Sequence, residues 1–358
     1  MSKKQLSLFP QQLPQVFNYP FPSTRYQGSK RTLVKWIADT ISDLEFTSVL
    51  DVFGGTGVVS YMLKNAGKQV VYNDVLAFNH SIGLALIENS HEILSQDEIE
   101  RILGFDQKAA YPTFIQDNFK DIYFTVDENI WLDRVTSNIN HLLSHPSKQA
   151  LARFALFQAC IAKRPYNLFH RANLYMRTAH VERSFGNKTT WDTPFEMHFR
   201  TFAAEANRAV FDNGQSNTAL QRDALDTPTG ADLVYIDPPY LNRKGIGVDY
   251  RDFYHFLEGL VDYERWAEKV DHTSKHKRLK RIVSPWNNPK TIHAAFEALI
   301  QLHRHSILVI SYRDDGIPSK EELRTLLLTH KKHVYDTKQS KKYALSNNRS
   351  NELLFIAY

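Results

Sequence analysis

An aspartate, two prolines and a tyrosine at the end of an apolar strand are the residues of this chain best suited to chemistry. In Asp232-Leu-Val-Tyr-Ile-Asp-Pro-Pro-Tyr240 the run Leu233 to Ile236 is apolar, as expected of a strand buried on both faces of an α/β sheet. Asp237 falls at the carboxyl end of that strand, the edge at which open α/β sheets bind ligands. Pro238 and Pro239 fix two successive φ angles and have no N–H, so pairing stops and their carbonyls are left as acceptors. Tyr240 adds a flat aromatic face. A carboxylate, an aimed carbonyl and a ring together suit a planar group bearing an exocyclic NH2, with two hydrogens to donate and a face to cover. Adenine is such a group. Taken alone, the tetrapeptide also reads as a plain strand end, because Asp and Pro are ordinary breakers.

A second constellation lies nearer the amino terminus. Thr47 to Phe53 predicts a strand, and Gly54-Gly-Thr-Gly57 a turn into a helix from Val58. Gly55 and Gly57 let a ligand approach the backbone, although Ser60 stands where a dinucleotide fingerprint has its third glycine. Gln69 to Asp74 predicts a second strand, ending in an acid about 20 residues beyond the glycine turn. Nucleotide-binding α/β folds place there the carboxylate that accepts both ribose hydroxyls, so Asp74 is the expected ribose ligand. Ahead of both strands, Tyr26-Gln-Gly-Ser-Lys30 has a glycine for a tight loop and a serine to cap the helix carrying Leu33, Ile37 and Ile41. Lys30 places a charge near the loop mouth.

The elements that must position these residues alternate as strand and helix, except over one long interruption. Residues 1–23, with four prolines between 10 and 23, read as an extended lead-in. Residues 24–96 and 217–358 read as the catalytic α/β domain, and 97–216 as a helical insertion. Within it, 128–143 and 148–163 carry apolar residues at helical spacing. Lys163-Arg-Pro-Tyr-Asn-Leu-Phe-His-Arg171 and Arg183-Ser-Phe-Gly-Asn-Lys-Thr-Thr-Trp191 then alternate cations with aromatics and amides. Such side chains contact phosphates and read base edges, which makes Arg164, Arg171, Arg183, Asn187 and Lys188 candidate nucleic-acid contacts. Lys275 and Arg278 join them from the densest basic run, Lys275 to Arg281. Leu241 to Tyr250, with Gly245 and Gly247, reads as a mobile loop over the site, and Tyr254 to Val270 as an amphipathic helix. Further strands are predicted at 282–286, 306–312, 333–337 and 353–357, about seven in all, with the last two as an antiparallel hairpin.

Length and composition agree with this division. At 358 residues the chain exceeds a typical single domain of ~100–200 residues. The net charge of +5 favours a polyanionic partner over a membrane. Cys160 is the only cysteine, which excludes an intrachain disulfide and a cysteine-rich metal site. No apolar run reaches the ~18 residues of a spanning helix, so a cytoplasmic location is expected.

Asp237-Pro-Pro-Tyr240 resembles the signature that holds the target nitrogen in amino-group DNA methyltransferases, and Asp51-x-Phe53-x-Gly55-x-Gly57 resembles motif I of S-adenosylmethionine-dependent methyltransferases. With Tyr26-x-Gly-Ser-Lys30, Asp74 and Asp223 in order, residues 24–358 look like the D12 class, the alpha group of N6-adenine DNA methyltransferases that includes the Dam-type enzymes. Val52 departs from the family, which often has proline there, and the insertion matches its target-recognition part only loosely. The resemblance implies a Rossmann-like sheet, S-adenosylmethionine as cofactor, no metal, and transfer of a methyl group to N6 of an adenine flipped out of duplex DNA. It implies cofactor contacts at Tyr26, Lys30, Asp51, Phe53, Gly55, Gly57, Asp74, Asp223 and Asp237, with Lys30 also near the target. It further implies catalytic roles for Asp237, Pro238 and Tyr240, and a separately encoded restriction endonuclease as a possible companion. Methylation of adenine in RNA and a catalytically idle nucleic-acid-binding subunit remain as alternatives. N4-cytosine and protein-glutamine methylation fit less well, since those families tend to carry Ser or Asn where Asp237 stands.

Overall fold

Seven strands carry the architecture of the computed structural model, which describes residues 17–179, 188–342 and 349–358. They are β1 (Ser48–Asp51), β2 (Gln69–Asn73), β3 (Thr218–Leu220), β4 (Leu233–Ile236), β5 (Ile307–Arg313), β6 (Val334–Lys342) and β7 (Arg349–Ala357). They form one sheet in the order β3-β2-β1-β4-β5-β7-β6. The first five are parallel and β7 runs antiparallel to both neighbours. The centre is set by Leu50 opposite Val71 on one side and Val234 on the other.

Alternate residues of each central strand enter different cores, as a pleated strand requires. Val49, Leu233 and Tyr235 pack on one face; Leu50, Val234 and Ile236 pack on the other. Since both faces are covered, neither can be polar, and the near-continuous apolar runs read in the sequence follow. Three short helices near the site pack on the first face: α1 (Val34–Ile41), α2 (Val58–Asn65) and α3 (Ala77–Gly83). The second face is covered by the helices Ile292–Leu302 and Lys320–His330.

The helices of the interruption are built by sequence signals that sit where expected. Thr125 and Glu128 form a reciprocal capping box that starts the helix Val126–Leu142, and Pro146 occupies the first turn of the helix Pro146–Ala162. The latter is buried on every side from Ala150 to Ala162 apart from half-buried Arg153, and Phe157 meets Phe78 of α3 edge to face at 6.0 Å. This helical stretch therefore shares the core of the sheet. Residues 17–21 of the lead-in are anchored too: Phe17 and Phe21 pack on Tyr61, and Tyr19 stacks on Phe211 at 4.1 Å.

Two elements differ from the pattern reading. Residues 282–286 form no strand. Pro285 has no N–H to offer a ladder, Ile282 and Val283 stand 66% and 88% exposed, and a single helical turn follows at Pro285–Asn287. The seventh strand is instead β3, three residues whose shortness hid them. Tyr254 to Val270 is not one helix but His255–Val261, a tight turn at Tyr263–Arg265, and Trp266–Lys269. The break lets the indole of Trp266 fold back over Gly259, where any Cβ would overlap the ring.

Candidate active site

β1, β2, β4 and β5 end at a cavity of about 960 Å³ on the carboxyl edge of the sheet, at the crevice where the strand order reverses between β1 and β4. It is lined by Asp51, Phe53, Asp74, Asp237, Pro238, Tyr240 and Arg313, and from outside the sheet by Tyr26 to Thr32. Its size is at the upper end of small-molecule clefts, ~300–1,000 Å³, which leaves room for more than one ligand group.

Asp237 is joined to Lys30 and Tyr240 in a closed triangle. Lys30 Nζ donates to Asp237 Oδ1 and to the Tyr240 hydroxyl, both at 2.8 Å, and that hydroxyl donates to the same Oδ1 at 2.5 Å. Burial opposes the Lys30 charge, but Asp237 and then Glu352 outweigh it and hold the ammonium above its ordinary pKa. Burial raises the Asp237 carboxyl, against the pull of Lys30. Both hydrogen bonds fall on Oδ1, so Oδ2 keeps its acceptor sites for a ligand. Glu352 of β7, wholly buried, stands 3.4 Å from the Tyr240 hydroxyl. The ring of Tyr240 has the Lys30 ammonium 4.9 Å from its centre and Tyr312 edge-on at 5.6 Å. Its plane is thus fixed before any ligand arrives.

The other half of the cavity is organised by two acids. Asp51 is 1% exposed; its Oδ2 accepts from Ser60 at 2.6 Å, while Oδ1 has no partner among the described residues. Burial pushes its carboxyl up to about 7. Ser60, which replaces the third fingerprint glycine, is thereby explained as a donor to this acid. Asp74 accepts at Oδ2 from Gly55 N (2.9 Å) and Asn79 Nδ2 (3.0 Å) and at Oδ1 from Leu76 N (2.9 Å). Burial raises it to about 6, with these three bonds pulling it back. A carboxylate offers about four acceptor sites, so Asp74 keeps one free and braces the glycine turn with the rest. A Cβ on Gly55 (φ 52°) would meet only Phe53 O, at 3.9 Å, and Gly55 lines the cavity. Gly57 (φ 74°) does not line it and serves the turn into α2.

The remaining expected residues are distributed unevenly. Phe53 lines the cavity with its ring against Trp286 at 4.9 Å, and Tyr26 is stacked between Tyr250 and Tyr254 at 5.6 and 4.5 Å. Asp223 is at the exposed rim and caps a turn through Leu225 N. Lys30, expected near cofactor and target, is 5% exposed and its ammonium belongs to the triangle. Arg164, a candidate nucleic-acid contact, is turned inward. It is 1% exposed, and its guanidinium donates to the carbonyls of Leu168, Tyr123 and Arg171 and to the Asn173 side chain. Nothing in an alternating basic stretch distinguishes a cation that ties its own loop from one that faces solvent. Arg278 is half-buried and paired with Asp271. Lys188 is exposed and paired with Asp192, and Arg171 and Lys275 are exposed. Arg183 and Asn187 lie outside the described residues. The 241–250 loop is a built turn: Asn242 N and Ile246 O, and Gly245 N and Asn242 O, close it at 3.0 and 2.8 Å.

Glu258, Glu352, Trp286 and Tyr166 were not singled out from the sequence. Glu258 lines the cavity and accepts from Phe78 N at 2.8 Å, and burial pushes it up to about 7. Glu352 had a signal: it is the one acid at the head of the apolar run Leu353 to Ala357. Tyr166 and Asn167 both hold positive φ (61° and 60°) at the cavity rim, Tyr166 with half its surface exposed. Their backbone conformation is invisible in the sequence.

Sheet order, glycine turn and acid corner together define a Rossmann-like methyltransferase. More narrowly, the model for the D12 class N6 adenine-specific DNA methyltransferases matches residues 26–326, and the chain belongs to that family. Among its relatives, the type II methyltransferase M2.HphI of Haemophilus parahaemolyticus is 29% identical over 351 residues, covering 95% of this chain and 98% of that protein. The modification methylase StsI of Streptococcus sanguinis is 28% identical over 368 residues, and the type II methyltransferase M.FokI of Planomicrobium okeanokoites 24% over 327. These cover 92% and 86% of this chain but only 51% and 47% of their own lengths, so it spans about half of each.

Proposed function

We propose that this chain is a site-specific DNA methyltransferase that methylates adenine at N6 in duplex DNA, with S-adenosylmethionine as donor, as the modification enzyme of a restriction-modification system. The observation that carries this reading is the Lys30–Asp237–Tyr240 triangle beside a cavity whose other half suits an aminoacyl nucleoside. A separately encoded endonuclease would be its companion, and residues 97–216 would supply target recognition. The family and the type II names of its relatives support the reading.

The residues fit the cofactor. The unpartnered buried Oδ1 of Asp51 suits an ammonium, the room over Gly55 suits its close approach, Phe53 would pack near the methionine part, the last acceptor site of Asp74 suits one ribose hydroxyl, and Asp223 would meet the cofactor's adenine. When bound, S-adenosylmethionine supplies a methyl group on a sulfonium centre whose loss leaves a neutral thioether. On the target side, Asp237 Oδ2 and the Pro238 carbonyl would accept the two N6 hydrogens and turn the nitrogen lone pair out of conjugation. Asp237 would also stabilise the positive charge growing on N6, and Tyr240 would stack on the base. Lys30 opposes the effect of burial on Asp237 and aims its carboxyl group.

Asp74→Ala is expected to weaken S-adenosylmethionine binding about 10- to 100-fold in titration calorimetry, the range for losing a charge-assisted hydrogen bond; unchanged affinity would remove its ribose role. Binding should also depend on pH. With Asp51 titrating at about 7, its charge is lost as the pH falls through that value, so cofactor affinity declines from pH 8 downward. Asp51→Asn should bind weakly at every pH and lose this decline near 7. A variant that keeps the wild-type slope would place the titration elsewhere.

The function itself is tested by incubating the protein with unmethylated duplex DNA and methyl-labelled S-adenosylmethionine, then identifying the labelled nucleoside. N6-methyladenine supports the reading. Label in RNA alone, or bound cofactor without any label transfer, overturns it in favour of an RNA enzyme or an idle subunit.

A further inference from the structure

Two segments at the cavity mouth share one pattern that the chemistry above does not use. In the first, Arg243 and Lys244 are exposed and followed by Ile246, 63% exposed. In the second, Lys280 and Arg281 are exposed and followed directly by Ile282 and Val283. The first segment packs near the chain that follows the second, since a Cβ on Gly245 would stand 3.1 Å from Pro289. Both border the cavity, through Asn242 and Val248 on one and Ile282, Val283 and Ser284 on the other. Both are fixed. The first is closed by its own hydrogen bonds, and Asn242 Oδ1 accepts from Lys244 N and Ile246 N at 2.9 and 3.1 Å. The second is held before and after its apolar pair: Lys280 N donates to Lys269 O at 2.8 Å, and Trp286 is buried against Phe53.

Singly exposed aliphatic side chains are ordinary. Three of them on two segments, each following exposed cations, at the mouth of one cavity are an amphipathic contact surface. Its charge suits a phosphate backbone, and its apolar tips suit the flat face of a base pair left bare when its neighbour leaves the stack.

We infer that these segments form a lip that grips duplex DNA, with Arg243, Lys244 and Arg281 on phosphates and Ile282 and Val283 as the wedge that keeps the extruded adenine out of the helix. The inference rests on the proposed function above. Extrusion costs unstacking and unpairing, and apolar wedges are one way in which proteins hold a deformed duplex. The wedge residues stand exposed at the cavity mouth and take no part in the Lys30–Asp237–Tyr240 triangle or in the bonds of Asp51 and Asp74, so their removal should act on extrusion.

The test uses the full chain and a duplex oligonucleotide carrying its mapped site, with 2-aminopurine at the target adenine for fluorescence and adenine for turnover. Ile282→Ser with Val283→Ser, both exposed and so without a folding role, should lower the fluorescence rise and cut turnover about tenfold, the factor for each ~1.4 kcal/mol of lost extrusion energy. S-adenosylmethionine affinity should not change. Turnover should recover when the base opposite the target is abasic, because less pairing then has to be broken. Neutralising Arg243, Lys244 and Arg281 to Gln should reduce the slope of log affinity against log salt by about 2.7, at roughly 0.9 per phosphate contact. Equal loss on normal and abasic duplexes, or no loss on either, overturns the wedge, and an unchanged salt slope overturns the phosphate contacts. Failure of the underlying reading is seen separately, in wild-type protein that methylates no duplex.

Discussion

Asp237→Ala should abolish methyl transfer, lowering turnover by about 10²–10³-fold or more, the usual consequence of removing one preorganised group from a developing charge. Cofactor affinity should change little by comparison, because Asp51, Asp74 and the glycine turn are untouched. The substitution has a second effect that must be separated from the first. Lys30 is 5% exposed, and its nearest carboxylate is Asp237, at 2.8 Å. Truncation would strand a buried ammonium, which costs about 3–5 kcal/mol for a fully buried pair and is seen as a lower unfolding midpoint. Asp237→Asn resolves the two: the amide oxygen still accepts from Lys30 and Tyr240, so stability should be largely kept while turnover falls. Adding Lys30→Met to Asp237→Ala should restore stability without restoring activity. If stability and activity return together in the double variant, Asp237 is a structural partner of Lys30 and not the group that acts on N6.

The sequence made the sheet and its acid corner readable because their signals are local. An apolar run that ends in Asp-Pro-Pro-Tyr can be buried in few ways, and a glycine turn after β1 followed by an acid after β2 defines one edge of one fold. Lys30 was placed near the loop mouth, but its bond to Asp237 crosses 207 positions and follows only from the packing of residues 26–32 under the carboxyl ends of β1 and β4. Glu352 reaches the same point from the last strand, where an acid heading an apolar run was the sole clue. The expected strand at 282–286 failed for a related reason. Its aliphatic residues fit a strand, whereas they are exposed on the rim, and pattern alone does not distinguish a side chain buried in a sheet from one kept for a partner. The basic stretch after Lys163 misled in the opposite sense, because one of its cations faces inward.

That inward cation gives the second large expected effect. Arg164→Met should destabilise the protein by several kcal/mol, since it leaves the buried Leu168 carbonyl and Asn173 side chain without this donor, at about 1–3 kcal/mol for each buried group left unsatisfied, while Tyr123 O keeps a bond from Arg177. Burial lowers the guanidinium pKa to about 9, so it remains charged at neutral pH, with the Tyr123 ring 4.4 Å away. The decisive variant is Arg164→Lys. A phosphate contact would tolerate lysine, which keeps the charge. A guanidinium that spans four acceptors, three on its own loop and one at Tyr123, would not, because an ammonium lacks the planar fork and cannot reach all four together. The lysine variant should therefore resemble methionine in its unfolding midpoint, and amide exchange should quicken over residues 165–173, which carry Tyr166 and Asn167 to the rim. DNA turnover should fall with it while S-adenosylmethionine still binds. A lysine variant with wild-type stability and weakened DNA affinity would return Arg164 to the DNA surface.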